Sequence, residues 1–142
     1  MTRTEGAAPP LLQDSPRALV IGPDEHTAFL LEYMLQREGF VVASFPEGAS
    51  AAEHIDREPP ADVVVTDIVM PFVDGFELIT RIRADERWRA VPLIVLSAHS
   101  ADQEVIRALE LGANDYVTKP FNAGVLLARI RRHMQTATGA RA

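Results

Sequence analysis

A carboxylate that could bind or accept a small group follows directly on a strand-like segment. Asp67 comes after four consecutive β-branched residues, Val63–Thr66. Such a run is typical of a strand covered on both faces, as in a parallel sheet. Pro71 cannot continue the ladder of a strand, and Asp74-Gly75 is a turn signal. We therefore expect Asp67 at the carboxyl edge of the sheet, where open α/β sheets bind their ligands.

Two further polar residues occupy matching positions on later segments. Ser97 follows the apolar run 93–96, and Lys119 follows the segment 115–118 and precedes Pro120. Parallel strands present these ends at one edge, so a carboxylate, a hydroxyl and an ammonium converge there. That set suits a small anion that is bound beside the carboxylate or transferred onto it. A cis Lys119-Pro120 peptide, a form found in about 5% of X–Pro bonds, would hold the lysine over this edge. Two simpler interpretations stay open, in which Asp67 only ends a strand and Lys119 is an ordinary surface lysine.

Strand and helix signals alternate five times along the chain. The predicted strands cover 18–21, 40–45, 63–67, 93–96 and 115–118. The predicted helices cover 25–38, 49–57, 76–84, 102–111 and 125–133. Gly39 and Gly112 end the first and fourth helices, where glycine accepts the left-handed conformation. This alternation predicts a flavodoxin-like α/β fold, doubly wound, with five parallel strands in the order 2-1-3-4-5 and helices on both faces.

Apolar spacing also predicts which helical residues pack on the sheet. Those of the first helix are Phe29, Leu30, Tyr33, Met34 and Leu35, those of the third are Phe76, Leu78, Ile79 and Ile82, and those of the last are Val125, Leu126, Ile130 and Met134. Residues 16–136 form the predicted domain. We expect a disordered or loosely packed N-terminal tail over 1–15 and a C-terminal tail over 137–142.

Composition excludes several classes of protein. A chain of 142 residues with 47% hydrophobic residues can build one core. The net charge of −6 argues against nonspecific nucleic-acid binding. The absence of cysteine excludes disulfides and thiolate metal sites, and favours the cytoplasm as location. No signal core and no apolar run near about 18 residues is present, so we expect no contact with a membrane.

The residues around the three polar positions resemble the receiver domain of two-component response regulators, over roughly residues 17–134. The pattern consists of Asp67 with Met70-Pro71 and Asp74-Gly75, then Ser97-Ala98, then the run 112–121. The resemblance implies that a histidine kinase or a phosphotransfer protein phosphorylates Asp67, and that Ser97 and Lys119 bind the phosphoryl oxygens. It implies no other enzyme activity than phosphotransfer and autodephosphorylation.

The resemblance also assigns roles to residues around the site. Tyr116 rotates inward as Ser97 moves, which changes the face formed by the fourth helix, fifth strand and fifth helix. His99 and Val69 tune how easily water reaches the acyl phosphate.

The segment after the first strand departs from the family pattern. Receivers carry two acids there that hold a magnesium ion, and this chain has Gly22 and Pro23. Magnesium prefers octahedral oxygen coordination at about 2.0–2.1 Å. Asp67 and the backbone carbonyl of Val69 remain as implied ligands, so we expect weakened magnesium binding. Asp24 has two interpretations, either as the N-cap of the first helix or as a substitute ligand on a rearranged loop.

The output face matches part of a dimer pattern found in the winged-helix branch of the family. Asp115 and Arg129 are spaced like one ion pair that crosses that dimer, and Val105 and Val125 replace another. We expect Val105, Tyr116 and Val125 to contribute to a homodimer or partner interface that depends little on salt.

Three classes of function remain. The first is a stand-alone receiver, phosphorylated on Asp67, that signals to a partner protein through the face just described. The second is a pseudo-receiver that acts as an interaction or dimerisation module without phosphorylation. The third, a binder of a nucleotide or small phosphate ligand, is disfavoured because no Gly-rich loop follows the first strand. The basic stretch around Arg81, Arg83, Arg87 and Arg89 lacks interleaved aromatic residues, so we expect a solvated surface and no nucleic-acid binding.

Overall fold

Five parallel strands form one sheet in the computed structural model, which describes residues 15–141. The strands are β1 (Arg17–Ile21), β2 (Val41–Phe45), β3 (Val63–Thr66), β4 (Leu93–Ser97) and β5 (Asp115–Thr118). The helices are α1 (Glu25–Arg37), α2 (Gly48–Arg57), α3 (Gly75–Ala84), α4 (Asp102–Leu111) and α5 (Ala123–Arg141). The strands lie in the order β2-β1-β3-β4-β5. The predicted doubly wound fold is therefore confirmed.

Alternating side chains of the central strands supply two separate cores. Leu19 and Ile21 of β1 face α2, α3 and α4, whereas Ala18 and Val20 face α1 and α5. A parallel strand that is covered on both faces reads as a continuous apolar run, which is why β1, β3 and β4 were visible in the sequence. Trp88 lies fully buried in the first of these cores.

Capping residues set the ends of the helices that flank the sheet edge. Asp24 is the N-cap of α1 and Asp74 is the N-cap of α3, and each accepts hydrogen bonds from backbone N–H groups of its own first turn. Gly39 and Gly112 have φ values of 93° and 127° after α1 and at the end of α4. Both predicted glycine stops are confirmed.

Two helices differ from the predicted pattern. In α1 the buried residues are Leu31, Met34 and Leu35, and Phe29 and Tyr33 are exposed, because this helix packs through a narrow stripe. The predicted inward placement of Phe29, Leu30 and Tyr33 is therefore wrong. In α5, Leu126 and Ile130 are buried as predicted, but Val125 is exposed, since it lies one position off the buried stripe.

The ends of the domain are only partly described. Helix α5 continues to Arg141, past its predicted end at His133 and through most of the segment predicted as a C-terminal tail. Residues 1–14 of the predicted N-terminal tail lie outside the described part. Between residues 15 and 141, no helix combines the length and apolarity that crossing a membrane requires.

Candidate functional site

The backbone ladder brings the three predicted site residues to one edge of the sheet. Asp67 follows β3, and its N–H donates to the carbonyl of Ile21 at the end of β1, at 2.9 Å. Ser97 is the last residue of β4. Lys119 follows β5, and its N–H donates to the carbonyl of Ser97, also at 2.9 Å. The positions of all three are therefore fixed by main-chain hydrogen bonds.

Asp67 and Lys119 form an ion pair that is largely shielded from solvent. Lys119 Nζ lies 3.1 Å from Asp67 Oδ2, and the two side chains are 17% and 13% exposed. Asp67 Oδ1 accepts hydrogen bonds from the N–H of Ile68 at 2.6 Å and of Val69 at 3.4 Å. One carboxylate oxygen is thus oriented by the backbone and the other by the ammonium. The Lys119-Pro120 peptide is cis.

Close backbone contacts fix the loop that carries Asp67. A Cβ on Gly75 would lie 2.3 Å from the carbonyl oxygen of Asp67, and one on Gly48 would lie 1.9 Å from that of Val73. Gly75 N–H also donates to Ile68 O at 2.9 Å. Only glycine permits approaches this close, so the loop is clamped at both places.

The apex of this loop carries an aromatic side chain that sequence reasoning missed. Phe72 has φ 68° and is 94% exposed, and the N–H of Val73 donates to Pro71 O across it at 2.8 Å. A positive φ is uncommon for a residue with a side chain, and no composition signal distinguishes such a phenylalanine from a core residue.

Ser97, His99 and Tyr116 are connected through hydrogen bonds. Ser97 is fully buried, and its Oγ accepts from the N–H of His99 at 3.1 Å. The carbonyl of His99 accepts from the Tyr116 hydroxyl at 2.6 Å. Burial raises the pKa of the Tyr116 hydroxyl, and the negative charges of Glu104 and Asp67 act in the same direction. No side-chain hydrogen bond joins Ser97 to Asp67 or Lys119 among the described residues.

Asp24 caps α1 and also reaches the site. Its Oδ1 accepts from the N–H groups of His26 and Thr27 at 3.0 and 3.4 Å, and its Oδ2 accepts from the Thr27 hydroxyl at 2.7 Å. The same Oδ2 lies 3.8 Å from Lys119 Nζ. The Thr27 hydroxyl is the main cause of an Asp24 pKa below its usual value.

The residues in the described part of the chain fit a magnesium ion poorly. A Cβ on Gly22 would lie 3.3 Å from Asp67 Cβ and 4.0 Å from its Oδ2, so a side chain here would adjoin the carboxylate, but glycine brings no oxygen. Pro23 has no side-chain oxygen either, and Asp24 is engaged as a helix cap. Within residues 15–141, no three His, Cys, Asp or Glu residues are grouped so as to hold a metal.

The predicted solvated basic stretch is wrong at Arg83. Its guanidinium donates to the carbonyls of Gly112, Arg89 and Val91 at 2.9, 3.0 and 2.7 Å, and to Asn114 Oδ1 at 2.9 Å. Burial lowers the pKa of this arginine. Arg83 thus ties α3 to the segments that lead into β4 and β5, the strands that end at Ser97 and Lys119.

Exposed apolar residues lie on α4 and α5, the two helices of the predicted interface. Ile106 and Leu109 on α4 are 53% and 44% exposed, Val125 on α5 is 50% exposed, and Val105 is half-buried. We call Ile106, Leu109 and Val125 the apolar patch.

The ion pair that was predicted to cross a dimer forms within the chain. Arg129 Nη1 lies 3.0 Å from Asp115 Oδ2, and His133 Nε2 lies 3.1 Å from the same oxygen. An exchange of this pair between two copies stays a prediction.

Comparison with known proteins identifies the family. Residues 18–131 match the response regulator receiver domain. The chain is 38% identical over 120 residues to the transcriptional regulatory protein CseB of Streptomyces coelicolor, covering 84% of this chain and 50% of that protein. It is 36% identical over 115 residues to a 14.6 kDa protein of Leptolyngbya boryana, covering 81% of this chain and 87% of that protein. The chain thus belongs to the receiver domain family of two-component signalling.

A solved relative shows the metal site of the family. The receiver domain of the sensor histidine kinase PA1611 from Pseudomonas aeruginosa, solved with magnesium in its active-site cleft, is 28% identical with a TM-score of 0.77. The match covers 85% of this chain and 98% of that one. Receiver domains are signalling modules that bind magnesium and become phosphorylated on an aspartate. The chain spans about half the length of CseB and of several other curated relatives that it matches.

Proposed function

We propose that this chain is a phosphoacceptor receiver in which Asp67 takes a phosphoryl group from a histidine kinase or a phosphotransfer protein. A carboxylate oxygen of Asp67 forms the new bond to phosphorus, and the P–N bond of the donor's phosphohistidine breaks. The ion pair between Asp67 and Lys119 is the observation that supports the proposal, since an ammonium beside the carboxylate is the group that would neutralise an incoming phosphoryl group.

The energy available suits a two-state switch. Phosphorylation raises the negative charge at Asp67 to about −2 and adds three strong acceptors. Charge-assisted hydrogen bonds contribute about 1.5–3 kcal/mol each, so two from Ser97 and Lys119 supply roughly 3–6 kcal/mol. Inverting a population from 1:99 to 99:1 takes about 5.5 kcal/mol. The upper end of this range reaches that amount only if both bonds form in one state alone, and the bond that Lys119 already makes to Asp67 reduces the share that Lys119 can add.

The hydrogen bonds through His99 offer a path from the site to the output face. A Ser97 hydroxyl that turns toward a phosphoryl group alters its bond with the His99 N–H, and the carbonyl of His99 holds the Tyr116 hydroxyl. Tyr116 lies on β5, one of the three elements of the output face. We propose that this face, which also includes Val105, Asp115 and Arg129, passes the signal to a partner protein in the cytoplasm, without contact between this domain and nucleic acid.

Magnesium binding is proposed to be weaker than in other receivers. The acid pair that would complete the metal site is replaced by Gly22 and Pro23. Asp67, the carbonyl of Val69 and, at most, Asp24 remain. The same observation favours the second candidate function, a pseudo-receiver that binds a partner or a second copy without phosphorylation.

Intact mass spectrometry after incubation with acetyl phosphate separates the two functions. We expect one phosphoryl adduct on the natural sequence and none on Asp67→Asn, a change that keeps the side-chain size and removes the nucleophile. An adduct that survives Asp67→Asn would place the modification elsewhere. Absence of an adduct at every magnesium concentration would leave the pseudo-receiver as the function.

A further inference from the structure

A second carboxylate competes with Asp67 for the lysine of the site. Lys119 Nζ lies 3.1 Å from Asp67 Oδ2 and 3.8 Å from Asp24 Oδ2. Both acids line the same small cavity, together with Gly22, Thr27 and Lys119. Lys119 is the cation that ion-pairs with Asp67 among the described residues, so the charge it gives to one acid is shared with the other.

Asp24 is held in this place and remains charged. Three hydrogen bonds from the first turn of α1 fix its two oxygens. These bonds also keep its pKa below the usual value, with the Thr27 hydroxyl as the largest cause. The carboxylate is therefore held beside Lys119 by its own helix, and an aspartate is ordinarily ionised near neutral pH.

We propose that Asp24 is a positioning residue that opposes phosphorylation of Asp67, because it draws Lys119 toward itself and repels the incoming phosphoryl group. The inference rests on the proposed function and deepens it. In a receiver that binds a divalent ion well, the ion neutralises the acidic residues of the site. Gly22 and Pro23 supply no side-chain oxygen for such an ion. The incoming phosphoryl group is thus repelled by Asp24. One ammonium, that of Lys119, has to offset the negative charges of both Asp24 and the phosphoryl group.

Asp24→Asn tests the proposal while keeping the helix cap. Asparagine is as good an N-cap as aspartate, and its carbonyl can accept the same backbone N–H groups. We expect the initial rate of adduct formation with acetyl phosphate, measured without divalent ions, to rise about two- to five-fold, the range typical of partly exposed charge interactions. The gain should shrink near 1 M salt, where the Debye length is about 3 Å, and part of it should remain because Lys119 is largely shielded from solvent.

Asp74→Asn is the matched control. Asp74 is the N-cap of α3 and accepts from the N–H of Glu77 at 2.9 Å, so this change also replaces a capping aspartate by asparagine. Its phosphorylation rate should equal that of the natural sequence. Asp24→Ser also replaces the aspartate by a neutral N-cap residue. It should show the same rise in the rate of adduct formation if the loss of charge is the cause.

The possible results are distinct. An unchanged or lower rate in Asp24→Asn and Asp24→Ser overturns the proposal while the proposed function stands, since a lower rate means that Asp24 orients Lys119 productively. A gain that is undiminished at high salt also overturns it, because the cause is then not electrostatic. Absence of an adduct on all of these proteins overturns this proposal and the phosphoacceptor function together.

Discussion

At the scale of single residues, the site balances two acids against one ammonium. Asp67 and Lys119 are shielded from solvent, which strengthens their attraction relative to a surface pair. Gly22 sits against Asp67 without contributing an oxygen. The chain therefore retains the groups that would receive and hold a phosphoryl group but lacks the two acids that would complete its metal site.

Returning carboxylates to the two altered positions should restore magnesium binding. In the variant Gly22→Asp, Pro23→Asp we expect magnesium to bind and to raise the unfolding temperature, since a ligand at about 100 times its Kd stabilises the folded state by roughly 2.7 kcal/mol. The natural sequence should show little shift at millimolar magnesium. A side chain at position 22 needs only a small adjustment, as its Cβ would lie 3.3 Å from Asp67 Cβ.

Titration calorimetry measures the magnesium affinity of both proteins, and thermal unfolding measures the shift in unfolding temperature. The variant Gly22→Asn, Pro23→Asn has side chains of similar size without the charge, and it therefore separates the effect of charge from that of size. Tight magnesium binding by the natural sequence that is lost in Asp24→Ala would contradict this prediction. It would establish Asp24 as a metal ligand.

At the scale of elements, Asp115 joins β5 to α5. Its carboxylate accepts from Arg129 and contacts His133, both on α5, and its side chain is mostly buried. Burial alone would raise the pKa of Asp115, but the hydrogen bonds of His133, Arg129 and the Tyr116 N–H outweigh it, and the pKa lies below its usual value. The strand that carries Tyr116 and leads to Lys119 is thus joined to the last helix by an ion pair.

Replacing this carboxylate should make the domain less stable and less sensitive to acid. Because folding lowers the pKa of Asp115, its contribution is complete above the reference value of 3.8 and is lost as pH falls through the lower folded-state pKa. We expect Asp115→Asn to lower the free energy of unfolding at neutral pH by roughly 1–2 kcal/mol. The gap from the natural sequence should narrow as pH falls below 3.8 and through the lower folded-state pKa. Urea unfolding followed by the fluorescence of the single, fully buried Trp88 measures this gap at each pH. A constant gap across the acidic range would mean that packing, not charge, is lost.

The elements were predictable where one local signal decides the structure. Apolar runs marked β1, β3 and β4, and Gly39 and Gly112 marked helix ends, because parallel strands and left-handed caps each demand particular residues. The site was visible for the same reason, as its residues follow the strands directly.

Features that depend on contacts between distant segments were not predictable. The hydrogen bonds of Arg83 reach carbonyls up to 29 residues away, and the exposure of Phe29 depends on how narrow a stripe of α1 meets the sheet. The distance of Asp24 from Lys119 is likewise set by the packing of α1 on β1 and β2, and no spacing in the chain encodes it.

At the scale of the whole molecule, the apolar patch of Ile106, Leu109 and Val125 lies on the face that includes Tyr116. Exposed apolar residues are common when single, but contiguous ones often mark interfaces. Burying each would contribute up to about 1.5–3 kcal/mol. An exposed ion pair contributes about 0–1 kcal/mol and weakens in salt. A dimer or complex formed through this patch should therefore persist at high salt.

Sedimentation velocity tests whether the patch joins two copies of the chain. We expect the natural sequence to dimerise on treatment with acetyl phosphate, to an extent that changes little between low and high salt. Ile106→Asp with Val125→Asp should abolish the dimer, because two carboxylates would then be buried opposite apolar groups. The half-buried Val105 is a poorer target, since Val105→Asp would also disturb folding. Phe29→Asp, which alters an exposed apolar residue on α1, is the matched control and should dimerise normally. If all three proteins remain monomeric at every salt concentration, phosphorylated or not, the patch does not serve self-association and its occupant must be a different protein.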